Sequence, residues 1–116
     1  MTQRDERLAK VAKSISDASD LVTLLSERLP AAKPWQRALK TNLADLDRLA
    51  QILRMTISLG RPDDEVITAA AALHEASRRT GAALAGSRVD NTTLAALKLV
   101  FDLTRTIHSE ITALAS

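Results

Sequence analysis

The chain has 116 residues, 46% of them hydrophobic and 26% charged, with a net charge of +2 and no cysteine. A chain of this length buries roughly two thirds of its unfolded surface, enough for one independent core, and the composition is globular rather than disordered. The lack of cysteine excludes a disulfide framework and thiolate chemistry. The opening "MTQRDERLAK" lacks the apolar run of a signal peptide, and no window approaches the ~18 apolar residues of a membrane span. A cytoplasmic protein without a membrane segment is expected.

Breakers at "LPAAKP" (29–34), "GRP" (60–62) and "GSRVDN" (86–91) divide residues 1–116 into four pieces. The period within each is helical, and no alternating strand pattern occurs. Helices are therefore expected at about 3–29, 34–59, 62–85 and 91–115. Leu8, Val11, Ile15, Ala18, Val22, Leu25 and Leu29 recur at spacings of three and four, a bundle seam on the first helix.

The second helix opens with Pro34 as a first-turn proline and repeats the seam with Leu39, Leu43, Leu46, Ala50, Leu53 and Ile57. Residues 31–60 hold five basic and two acidic side chains, so the net charge is concentrated here. At 100° per residue, Lys33, Arg37, Lys40 and Arg48 fall on one side, roughly opposite the seam, where they offer contacts to an anion such as a nucleic-acid phosphate. Ile52, Met55 and Leu59 also lie off the seam. With Ile67 of the next helix they make a candidate apolar interface, and Leu99 and Leu103 on the fourth helix make a rival one.

The third helix starts at Pro62, followed by Asp63, Asp64 and Glu65 at the positive end of the helix dipole. Its seam is Val66, Ala70, Leu73, Ser77, Thr80 and Leu84. Alanines at 69–72, 76, 82, 83 and 85 predict close approach to a neighbour, and Gly81 predicts a close contact or an early end. In the fourth helix, capped by Asp90 or Asn91, Leu94, Leu97, Val100, Phe101, Thr104, Ile107, Ile111 and Leu114 cover a broad arc, so this helix is expected to lie deepest. Similar lengths and short connections predict an all-α, up-down-up-down antiparallel four-helix bundle.

His74 lies midway along the third helix in "LHEASRRTG". A four-helix bundle with a histidine so placed is similar in outline to histidine phosphotransfer domains. The resemblance implies a phosphoacceptor histidine, with a lysine three residues and a glycine four residues beyond it. Here those positions hold Ser77 and Arg78. Arg78 lies one turn from the imidazole and could pair with a phosphoryl group, but the residue that clears room for a receiver is wrong. The other reading is a boundary histidine beside Leu73.

His108 falls at the edge of the fourth helix's apolar arc. Antiparallel midpoints near 74 and 103 place it several residues out of level with His74, which argues against a shared metal. Neither histidine has a glutamate three residues before it, as di-iron bundles require. No elbow serine, metalloprotease or phosphate-loop motif is present. The sequence therefore points to a non-enzymatic interaction module (adaptor, chaperone, inhibitor or regulator), with no cofactor and no metal. It would act through an apolar helix face on a protein partner or a second copy, a homodimer being the default. The alternatives are phosphotransfer at His74 and a nucleic-acid-associated regulator using the basic face.

Overall fold

The computed structural model describes residues 3–115. Four helices follow one another: α1 (Gln3–Arg28), α2 (Pro34–Ser58), α3 (Asp63–Ala83) and α4 (Asn91–Ala115). Each packs against the next, and α4 closes back onto α1. The result is an up-down-up-down bundle, square in section, with extents of 48 × 21 × 20 Å.

The helix ends follow local chemistry. Pro34 is the first residue of α2, and the Lys33 N–H before it donates to Gln36 Oε1 at 2.9 Å. Gly60 takes a positive φ of 64°, a conformation that costs glycine little, and so ends α2 in a tight turn. Pro62 is the cap of α3 rather than its first residue, and Arg61 and Glu65 form a two-bonded pair across that start at 2.7 and 3.0 Å. Asp90 caps α4 by accepting the Thr93 N–H at 3.0 Å and its hydroxyl at 2.8 Å. These bonds from Thr93 hold the Asp90 carboxyl below its usual range.

One core runs the length of the bundle. Val11, Ile15, Val22, Leu39, Leu43, Leu46, Leu53, Leu73, Val100, Ile107 and Ile111 are all buried, as their spacing requires. Leu8, Leu25, Ile57 and Leu97 are half-buried where each stripe meets solvent. At the end holding the α2–α3 turn, Arg4 joins three helices. It donates to the Leu114 carbonyl at 3.1 Å and to Asp63 at 2.9 Å.

Two expectations give way. The fourth helix is no deeper than the others: Leu94 and Leu99 are exposed and Phe101 is half-buried. A square bundle has no central position, so an apolar arc wider than two neighbours can cover is left in solvent. Gly81 is neither a contact point nor an end. It lies inside α3 with no atom within 4 Å of where a Cβ would stand, and the helix runs on to Ala83.

Candidate functional site

The apolar residues expected at an interface separate. Ile52, Met55 and Leu59 are 42, 61 and 69% exposed and stand together on the outer face of α2. Beside them runs a trough between α2 and α3, walled by Leu49 and Thr56 and floored on the α3 side by Ala69 and Ala72. The alanines that predicted close approach thus divide: Ala70 and Ala76 are buried in the core, whereas Ala69 and Ala72 are too short to reach α2 and leave the trough. The Arg61 and Glu65 pair closes one end.

Ile67 does not belong to this surface. It is half-buried against the core and absent from the trough walls. Seven residues, two helical turns, place it above His74 on the side of α3 that faces α4. Of the rival patch, Leu99 is exposed and Leu103 half-buried.

The basic residues of α2 do not make a continuous cationic strip. Arg37 donates to the carbonyls of Ala31 and Ala32, both at 3.1 Å, tying down the connection before the helix. Arg48 pairs with Asp45 at 2.6 Å. Lys40 is half-buried, while Lys33 is exposed in the turn. Local partners hold the two guanidiniums that the helical wheel assigned to an anion.

His74 faces α4, where its ring centre lies 5.1 Å from that of Phe101 and 6.0 Å from that of His108, the last two imidazoles inclined by only 22°. The expectation that the histidines stand out of level is therefore wrong. Ser77 and Thr104 meet at 3.0 Å across the same seam. From that contact, three residues back along α3 correspond to four forward along α4. Counting from helix midpoints fails because α3 is shorter than α4 and their ends are not flush.

Behind the rings lies a short polar chain. The Thr104 hydroxyl donates to the Phe101 carbonyl at 3.0 Å, which leaves its oxygen to accept from Ser77 at 3.0 Å and, at a longer 3.4 Å, from His74 Nδ1. With the Thr104 hydroxyl donating to Phe101, a hydrogen bond across this contact has His74 Nδ1–H as its donor and leaves the lone pair on Nε2. Burial lowers its pKa, with His108, Arg105 and Arg78 acting in the same direction against Glu75. Arg78 is itself engaged: Glu75 takes both its Nε and its terminal nitrogen, at 3.0 and 2.7 Å. The cation that sequence spacing offered to a phosphoryl group is clamped one turn away, and the imidazole is covered by Phe101 and His108. Among the described residues no group of three or more His, Asp or Glu side chains is placed to hold a metal ion.

A second concavity gave no signal in the helical seams. Leu21, Leu24 and Leu25 of α1, with Thr92 and Ala96 of α4, line an apolar cleft near the 29–34 connection. Leu24 is exposed there, and the positions of Leu21 and Leu24 off the first seam were the clue in the sequence. No helix among the described residues is long and apolar enough to cross a membrane. Comparison with protein-family models, curated proteins and solved structures finds no match for the chain.

Proposed function

We propose that this chain is a small helical interaction module, of the adaptor or regulator kind, and that its α2–α3 trough receives a second copy of the same chain. The observation behind this reading is the adjacency of a ridge and a hollow. Ile52, Met55 and Leu59 project from α2 and form the outer wall of the trough floored by Ala69 and Ala72. A surface with ridge and hollow side by side is self-complementary: a twofold axis parallel to the helices lays each copy's ridge in the other's trough. Closed twofold pairs are the commonest protein assemblies. A grouped apolar surface on a protein this small is the usual mark of an interface, and Met55 adds an adaptable side chain to it. Arg61 and Glu65 already satisfy one another at the end of the trough, and Asp64 lies beside them on its rim.

Neither alternative gains comparable support. Of the four cations offered to a nucleic acid, Arg37 and Arg48 already have local partners, which leaves Lys33 and the half-buried Lys40. Phosphotransfer at His74 calls on Arg78 to pair with the phosphoryl group, and Glu75 already holds that guanidinium.

Sedimentation equilibrium tests the proposal directly. The wild type should be a dimer, and Ile52→Asp combined with Met55→Glu should leave a monomer with unchanged helicity. A wild type that stays monomeric at high concentration, or a double variant that still dimerises, overturns the self-association. Unfolding of the double variant would place these residues in the core and overturn it as well.

A further inference from the structure

The opposite side of α3 carries a second feature, independent of the trough. We propose that His74 and His108 form a two-imidazole chelate for a borderline divalent transition ion of the zinc, nickel and copper class. The ring centres are 6.0 Å apart on neighbouring helices. A bound ion lies about 2.0–2.1 Å from each ligating nitrogen, and each ring centre about 1 Å behind it, so two imidazoles sharing an ion sit with centres about 5–6 Å apart. The observed separation is therefore close to that of a ligated pair; because the rings are inclined by only 22°, His108 has to turn about its side-chain bonds to meet the ion while His74 keeps its contact with Thr104.

The surroundings favour such an ion in three ways. First, a histidine ligand normally gives its other ring N–H to a fixed acceptor. His74 has this arrangement through Nδ1 and the Thr104 hydroxyl, which leaves Nε2 with the lone pair. Second, no hydrogen bond among the described residues holds the His108 ring, although it is half-buried. It is thus available to turn. Third, the nearby guanidiniums are offset: Arg78 pairs with Glu75 at 2.7 Å and Arg105 approaches Asp102 at 3.7 Å. Phe101 packs against His74. With only two protein ligands, water completes the coordination. The site suits nitrogen-preferring ions rather than calcium or magnesium, and copper should bind tightest of the series.

The test is calorimetric titration of tag-free, full-length protein with nickel, zinc and magnesium chlorides near neutral pH. One nickel or zinc ion should bind per chain and magnesium none. His74→Ala and His108→Ala should each weaken binding about tenfold or more, and Thr104→Val should weaken it less, because it removes only the acceptor that orients His74. Independently of any variant, nickel added to the wild type should broaden NMR signals around His74 and His108 before all others. No binding at about millimolar metal, wild-type affinity in either alanine variant, or broadening centred elsewhere would each overturn the site.

Discussion

The two sides of α3 reverse what side-chain polarity alone suggests. Toward α2 its middle presents Ala69 and Ala72, and the apolar neighbours Ile52, Met55 and Leu59 stay in solvent on the wall of an unfilled trough. Toward α4 it presents His74 and Ser77, and there the space is filled by Phe101, Thr104 and His108 with every buried polar atom partnered. Close packing depends on volume matched at the same level of two helices, and hydrophobicity is a separate quantity. Short side chains make poor fillers however apolar they are, whereas a polar pair packs well once its hydrogen bonds are met.

If the α4 side is held as described, its hydrogen bonds contribute more than any single group on the α2 side. Thr104→Val keeps the shape but removes the acceptor for both Ser77 and His74. A buried donor left without a partner costs about 1–3 kcal/mol, so urea denaturation should show a loss in that range. Ser77→Ala should cost less, because Thr104 still donates to the Phe101 carbonyl. The double variant should lose less than the sum of the two, since the pair acts as a unit. A Thr104→Val protein as stable as wild type would mean that water already reaches this seam.

Most of the fold was legible in the sequence because its determinants are local. Seams such as Leu39, Leu43, Leu46, Ala50 and Leu53 follow from the helical period, and Pro34, Gly60 and Asp90 mark ends by backbone chemistry. Ile52, Met55 and Leu59 were readable as off-seam residues for the same reason. What escaped depends on two helices at once. The stacking of His74 on His108 needs the register of α3 against α4, and that register is set by the Ser77–Thr104 contact between residues far apart in the chain. Ile67 was misplaced because one helical face was assigned without knowing which neighbour it met. Arg78 and Arg48 looked free because an acid three residues away, Glu75 or Asp45, was not weighed as a partner.

His74 makes the α4 side of α3 sensitive to mild acid. In the folded chain the pKa of His74 lies below its ordinary value of 6.5, through burial first and then through His108, Arg105 and Arg78, with Glu75 opposing. Above that pH the ring is neutral in both states. As pH falls through 6.5 the unfolded chain takes up its proton before the folded one, so stability declines until pH passes the lowered folded value. Urea midpoints measured at intervals below neutrality should fall for the wild type and fall less for His74→Gln. Identical slopes would show that the ring ionises in the fold as freely as in solvent.

The smallest expected effect comes from filling the hollow on the other side. Ala72 lines the trough and is half-buried, so Ala72→Leu adds three carbons in space that neighbours do not occupy. The added contact with Leu49 and Ile52 is favourable, but part of the new side chain remains in water. The stability of the monomer should therefore change by no more than about 0.5 kcal/mol, the usual range for a surface position. Self-association should respond differently, because the same leucine occupies the place that the partner's ridge would take. A variant folded as stably as wild type yet weakened in dimerisation would separate the trough's role in docking from any role in folding. A loss of ~1–3 kcal/mol would instead show overpacking against a closed α2–α3 contact, and the contrast between the two sides of α3 would then disappear.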